Sequence, residues 1–142
     1  MLDPANVPKV DDGEVTARFV VSKRHVNWQA GAVKADAFVP HPYEELSVTR
    51  LIQITDEEVW GVGQAVAAAR KPPRTLYGRG DVLASTYRSQ PNLDVVADAV
   101  EGNPNHANVT GWPPADDETT QVMIAKEIAA VAKFVPRLES AE

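Results

Sequence analysis

Hydrophobic and polar residues alternate along two segments of the chain. Every second residue from Val15 to Val21 is apolar, and a period of two also runs from Leu46 to Ile54, interrupted only by Arg50. This period is typical of a β-strand with one buried face, so we expect strands over 14–21 and 46–54. Residues 22–45 lack a clear period and predict a loop, with a short strand near Val33–Val39.

Two further segments carry the signals of helices. Thr55 and Glu58 have the spacing of a reciprocal helix cap, and Pro72-Pro73 ends the helix that begins there. Asp116 or Asp117 can cap a final helix that Pro136 ends. At helical spacing the first helix has the apolar stripe Val59, Val62, Val66 and Ala69, and the final helix has Val122, Ala125, Ile128, Ala129 and Ala132.

The remaining segments complete a prediction of the fold. Arg74–Gly80 reads as a turn-rich loop, Val82–Arg88 as a strand with a helix as the alternative, and Leu93–Ala97 as another strand. Strands and helices in this order predict an α+β fold, with a mostly antiparallel sheet of about four or five strands and two helices on one face. We expect a disordered N-terminal tail over 1–13, a single α+β domain over 14–136 and a C-terminal tail over 137–142.

Composition and charge narrow the class of protein. The chain has 142 residues, no cysteine and a formal net charge of −6. Without an export signal or an apolar stretch of membrane-spanning length, these features favour a cytoplasmic protein that does not enter a membrane. Residues 18–88 hold ten Lys and Arg against seven Asp and Glu, whereas residues 89–142 hold three against nine. This balance disfavours duplex DNA as a partner but permits a local contact with an anion.

The segment from Gly102 to Pro114 combines three Asn, one His and one Trp with several Pro and Gly. Because proline lacks an amide donor and asparagine favours turns, the segment predicts a stiff loop. Loops of this kind often carry recognition. Its predicted binding residues are Asn105, His106, Asn108 and Trp112, with burial of Trp112 at the end of the core as the alternative.

Three histidines, His25, His41 and His106, are the candidate catalytic residues. They lie on separate segments with no pair at helical spacing, so we predict no metal site, and no sequence signature indicates a cofactor. Imidazoles together with arginines are the groups that metal-independent phosphodiester cleavage requires. The arginines that could hold the phosphate are Arg24, Arg50, Arg74 and Arg79.

Cations stand out at two places in the pattern. Arg50 shares a predicted strand face with apolar residues, so it must meet a carboxylate, carbonyl groups or a bound anion, and an internal ion pair is the favoured reading. The run from Arg70 to Arg79 places four cations and Tyr77 on a proline-stiffened loop, which suits an anion but also suits a solvated connector. The tripeptide Arg79-Gly80-Asp81 is interpreted as a coincidence rather than an adhesion motif.

These observations predict a small binding or accessory module. Its predicted ligand-binding residues are those of the 102–114 loop together with Arg50, Arg74, Tyr77 and Arg79, and its partner is a protein or a small anionic ligand. A metal-independent, histidine-dependent phosphodiesterase or RNase is the first alternative. A homodimeric structural subunit is the second.

Overall fold

The computed structural model describes residues 1–138, and eight strands and three α-helices lie within that range. The strands are β1 (Val15–Val20), β2 (Val26–Asn27), β3 (Ala32–Val33), β4 (Leu46–Arg50), β5 (Gly78–Leu83), β6 (Asp94–Ala97), β7 (His106–Thr110) and β8 (Lys133–Pro136). The α-helices are α1 (Asp56–Ala68), α2 (Ala84–Arg88) and α3 (Glu118–Val131). Two short 3₁₀ helices, Lys23–His25 and Ala35–Phe38, connect the first strands.

Six of the strands form one antiparallel sheet in the order β6-β7-β4-β1-β5-β8, and β2 pairs with β3 in a separate hairpin. The α+β class and the antiparallel sheet agree with the sequence prediction, although the main sheet has more strands than the four or five expected. Strand β1 pairs with β5 at six positions but with β4 at only two, Thr16 with Arg50 and Ala17 with Thr49. The two halves of the sheet therefore meet along a short seam.

The two long helices cover opposite faces of this sheet, which corrects the prediction that both helices lie on one face. Ala125 and Ile128 of α3 belong to the same buried cluster as Val20 and Val48. Helix α1 lies on the other face against Phe19, where a Cβ added to Gly63 would come within 2.7 Å of the Phe19 ring. Side chains alternate between the faces of a strand, so neighbours such as Phe19 and Val20 contact different helices.

The cap predicted for α1 is confirmed. The Thr55 hydroxyl accepts from the Glu58 amide at 3.1 Å, and the Glu58 carboxylate accepts from the Thr55 amide at 3.0 Å. The predicted stripe is right only in part, because Val59 and Val62 are buried whereas Val66 and Ala69 are exposed. Asp117 caps α3 by accepting from the Thr120 amide at 3.3 Å.

Several boundaries differ from the sequence prediction. The strand expected over 46–54 ends at Arg50, and the expected loop Arg74–Gly80 contains the first residues of β5. The predicted loop 102–114 contains strand β7, which pairs with β4 and β6 over His106–Thr110. The proline-rich ends of the segment lie outside this strand. The segment Val82–Arg88 is divided between the end of β5 and helix α2. Helix α3 ends at Val131 rather than at Pro136, and the residues beyond it form the edge strand β8.

Arg50 is fully buried at the end of β4, where it pairs with Thr16 of β1. Its Nε donates to Glu14 Oε1 at 2.7 Å and its Nη2 donates to Glu14 Oε2 at 2.8 Å. The remaining guanidinium donors reach the carbonyl oxygens of Pro8 at 2.8 Å and Lys9 at 3.1 Å. The polar residue in the apolar stripe therefore makes an internal ion pair, which was the reading favoured from the sequence.

The N-terminal segment contacts the domain instead of extending from it, in contrast to the tail expected over 1–13. Leu2 and Val10 are buried, and the Leu2 amide donates to the Asn105 side chain at 2.8 Å. The carbonyl groups that bind Arg50 belong to this segment as well. Polar contacts therefore hold the segment against the domain, although few of its side chains are apolar. At the other end, Arg137 and Leu138 are exposed, and the rest of the expected C-terminal tail, 139–142, lies outside the described residues.

Candidate functional site

The structure separates the predicted binding residues into several places. Asn105 is fully buried and bonds the Arg50 and Ile52 carbonyl oxygens, each at 2.8 Å, so it supports the backbone rather than facing a ligand. Asn108 on β7 donates to the Asp98 carboxylate at 2.9 Å. Tyr77 packs edge-to-face against Trp28, with ring centroids 6.3 Å apart. None of these three residues lines either of the two pockets that hold a candidate histidine in the described part of the chain.

Trp112 and Arg79 also make their contacts within the fold. Trp112 is 6% exposed and its Nε1 donates to the Val109 carbonyl at 3.1 Å, so it closes the end of the core beside a mostly apolar groove. Arg79 is buried in β5, where it pairs with Asp81 at 3.0 Å and lies 4.9 Å from the Trp60 ring centre. The Arg79-Gly80-Asp81 tripeptide therefore lies inside the fold, in agreement with its interpretation as a coincidence rather than an adhesion motif.

Two of the three candidate histidines come together in one cleft. We call this the cationic cleft, and it lies at the end of β1 between the C-terminal end of α1 on one side and α3 with the 35–38 turn on the other. Its volume is about 510 Å³. The charged and imidazole side chains that line it are Arg18, Arg24, His25, Asp36, His41, Arg70, Arg74 and Glu118.

Arg18 is held at the base of the cationic cleft by backbone carbonyl groups. Its Nε donates to the Ala37 carbonyl at 2.9 Å and its Nη1 donates to the Ser47 carbonyl at 3.1 Å. Since β1 and β4 pair at only two positions, the Ser47 carbonyl on β4 is available to this side chain. Burial among protein atoms, opposed by Tyr87 and reinforced by the nearby Arg70, lowers the pKa of Arg18 to about 10. The group remains a cation at neutral pH.

The arginines of the cleft differ in their partners from three arginines elsewhere in the fold. Arg50, Arg79 and Arg88 each form an ion pair with at least one carboxylate. Within residues 1–138, no carboxylate lies in ion-pair distance of the four arginines of the cleft, Arg18, Arg24, Arg70 and Arg74. Arg18 is half-buried and Arg24, Arg70 and Arg74 are exposed, so their charges are not neutralised within the fold and are open to an anion from solvent.

His25 and His41 have different environments in the same cleft. Burial lowers the pKa of His25, Asp36 opposes this, and the nearby Arg18, Arg24 and Arg74 lower the pKa further, so the ring is neutral at pH 7. His41 Nδ1 lies 2.9 Å from the Ala115 carbonyl and must donate to it, because a carbonyl oxygen only accepts. The Nε2 of His41 lies 3.7 Å from the Glu118 carboxylate.

The charge of the cleft is positive although the chain as a whole is acidic. Four guanidinium groups face two carboxylates, Asp36 and Glu118, which leaves a surplus of two positive charges before either imidazole is protonated. The whole chain has a formal charge of −6. Among the residues that the structure describes, no cluster of three or more His, Asp or Glu side chains is arranged to hold a metal ion. The arrangement is suited to an anion.

His106 lies apart from the other two histidines, on β7, where its Nδ1 is 2.8 Å from the Asp98 carbonyl and 3.3 Å from the Asp98 carboxylate. It lines a smaller pocket that we call the His106 pocket, together with Ser47, Val48, Thr49, Val66 and Asn103. Arg18, Phe19 and Arg70 line both this pocket and the cationic cleft, so the two spaces adjoin.

Sequence reasoning identified His25, His41, Arg24 and Arg74 as candidates but not Arg18, Asp36 or Glu118. Arg18 follows the alternating pattern of β1 as one of its polar positions, and nothing local distinguishes it from a solvent-facing residue. Its role depends on the short seam between β1 and β4, which is a long-range feature.

Comparisons with known proteins add no relative, because no protein-family model, no curated protein and no solved structure matches the chain. Over residues 1–138, none of the helices has the length and apolar character needed to cross a membrane. The cationic cleft is the feature of the molecule from which a function can be inferred.

Proposed function

We propose that the protein binds a small phosphate-bearing anion in the cationic cleft. The observation that supports this most directly is the contrast between the two groups of arginines, one paired with carboxylates and the other, which lines the cleft, without them. Solubility alone does not require an acidic chain to place four cations at one concave surface. The binding of a negatively charged ligand there accounts for this arrangement.

The charge of the cleft also suits a phosphate group more than a single carboxylate. Guanidinium groups bind phosphate oxygens in pairs of parallel hydrogen bonds, and these bonds are stronger than those between neutral groups. The cleft has a surplus of two positive charges, which matches the charge of a phosphate monoester near neutral pH. Arg18 is positioned in advance by two carbonyl groups, so little of its freedom is lost on binding.

Inorganic phosphate should raise the melting temperature of the protein more than sodium chloride does at the same ionic strength. Arg74→Ala should weaken phosphate binding about tenfold, because one charge-assisted hydrogen bond is lost from an exposed position. Titration calorimetry of the wild type and the variant measures the two affinities. Arg137→Ala is the matched control, since Arg137 is an exposed arginine that bonds Gln64 outside the cleft.

Two results would contradict this proposal. One is a melting temperature that responds equally to phosphate and to chloride. The other is a phosphate affinity that Arg74→Ala and Arg137→Ala leave equally unchanged.

Hydrolysis of a phosphodiester is a second candidate function, and the meeting of His25 and His41 in the cleft favours it. The neutral His25 would accept a proton from water as the water oxygen bonds to phosphorus. A protonated His41 would donate a proton to the ester oxygen as its bond to phosphorus breaks. The products are an alcohol and a phosphate monoester, and the arginines stabilise the charge that develops on the phosphate oxygens.

This second function predicts cleavage of bis(4-nitrophenyl) phosphate in the presence of EDTA. His25→Ala and His41→Ala should each lower the rate about 100-fold or more, because each removes a group that transfers a proton. Arg137→Ala should leave the rate unchanged. If the wild-type protein binds phosphate but releases no nitrophenolate, its function is binding and not hydrolysis.

A further inference from the structure

The His106 pocket adjoins the cationic cleft but differs from it in size and chemistry. Its volume is about 50 Å³, one tenth of that of the cleft. Apart from the shared residues, its lining combines the polar side chains of Ser47, Thr49, Asn103 and His106 with two valines. A ligand anchored by its phosphate at Arg18 and Arg70 would reach this pocket directly, since both arginines border it.

The polar groups of the His106 pocket are held in fixed orientations. His106 Nδ1 donates to the Asp98 carbonyl, so a neutral ring has Nε2 as an acceptor. The Asn103 amide nitrogen donates to the Thr49 hydroxyl at 3.1 Å, while its carbonyl oxygen accepts from the Asn105 amide at 3.2 Å. The pocket thus offers an imidazole acceptor and hydroxyl groups on a surface that is otherwise mostly apolar, with Arg18 and Arg70 at its border. Such groups recognise a neutral hydroxyl.

Size restricts the group that can enter. A space of about 50 Å³ has room for about four water molecules, because each needs about 10–15 Å³ of cavity volume on this measure. A hydroxymethyl group fits these limits, whereas a purine ring does not. Phe19 and Val66 supply an apolar wall for the carbon atoms of such a group.

We propose that the ligand is the phosphate monoester of a short polyol or sugar, with its phosphate in the cationic cleft and a terminal hydroxyl in the His106 pocket. The inference rests on the proposed function, because the phosphate fixes the position from which the hydroxyl reaches His106. It adds a substrate class and a specificity-determining residue to that function.

The experiment compares glycerol 3-phosphate with methyl phosphate, which is the same dianion without hydroxyl groups. Titration calorimetry of the wild type should give an affinity about fivefold or more higher for glycerol 3-phosphate, as expected for one added hydrogen bond. His106→Ala should remove this difference and leave the affinity for methyl phosphate unchanged. Arg74→Ala should weaken the binding of both compounds by a similar factor.

Val66→Phe provides a second variant that does not depend on the tolerance of β7 to mutation. Val66 is 38% exposed on α1, so a larger side chain can be accommodated there while it fills the pocket. It should also abolish the preference for glycerol 3-phosphate. Equal affinities of the wild type for the two esters, or a preference that survives Val66→Phe, would overturn the inference while leaving phosphate binding intact. Failure of both esters to bind would instead overturn the proposed function.

Discussion

Arg50→Ala should lower the free energy of unfolding by about 3–5 kcal/mol, a large part of the stability of a small domain. The loss is large because the variant leaves the Glu14 carboxylate, which is 8% exposed, without its two guanidinium donors. The carbonyl groups of Pro8 and Lys9 lose their donors as well. Urea-induced unfolding followed by circular dichroism measures the effect.

A double variant separates the buried charge from the loss of packing. Glu14→Leu with Arg50→Met replaces both charged groups by apolar side chains, so no carboxylate remains buried and unpaired. It should recover at least half of the stability that Arg50→Ala loses. If the double variant is as unstable as the single one, the ion pair is not the cause of the loss.

The same pair gives the protein a defined dependence on acid. Burial disfavours the charged form of Glu14, but hydrogen bonds from Arg50 and from the Asp11 amide outweigh burial and hold its pKa below the ordinary value. A carboxylate whose pKa is lower in the folded state stabilises the fold above its unfolded-state pKa. That stabilisation is lost as the pH falls through the folded-state value. Arg50→Ala should therefore flatten the acid limb of the stability curve.

Gly111→Ala should lower the free energy of unfolding by about 3 kcal/mol, the second large effect that we expect. Gly111 has φ of +85°, a left-handed conformation that costs other residues about 1–2 kcal/mol. In addition, its Cβ would lie well inside van der Waals contact with the Asn92 carbonyl oxygen. This neighbour is backbone, so the turn before Trp112 must move to relieve the contact. Thermal and urea unfolding measure the loss.

Gly102→Ala is the matched control for the contact. Gly102 has φ of +82°, nearly the same conformation, but a Cβ there would have no atom within 4 Å. Its substitution should cost only the conformational term, about 1 kcal/mol. Equal losses for the two variants would mean that the Asn92 contact contributes nothing.

Local patterns in the sequence were sufficient for the elements whose signals are local. Alternation predicted β1, and the Thr55 cap predicted the start of α1. The segment that forms strand β7 has the composition of a turn and therefore predicts a loop. Its pairing with β4 and β6 determines its structure instead. Tertiary pairing overrides local preference in such segments. The same holds for β8, a short edge strand that follows a helix directly.

The candidate site was less accessible to sequence reasoning than the fold. The residue types were identified, because imidazole and guanidinium groups are scarce and chemically distinctive. Which of them meet was not predictable, since Arg18, His41 and Arg74 come from β1, a loop and the segment after α1. The loop-like surroundings of Asn105 and Trp112 predict a recognition surface, with burial as the alternative for Trp112, and in the structure both residues support the interior.

The short seam in the sheet has a mechanical consequence. Strands β6-β7-β4 and β1-β5-β8 form two three-stranded ribbons that are joined by only two registered residue pairs. The Arg50–Glu14 ion pair closes one end of this seam, and at the other end Arg18 of β1 donates a hydrogen bond to the Ser47 carbonyl of β4. The guanidinium group of Arg18 therefore belongs both to the lining of the cationic cleft and to the link between the two ribbons of the sheet.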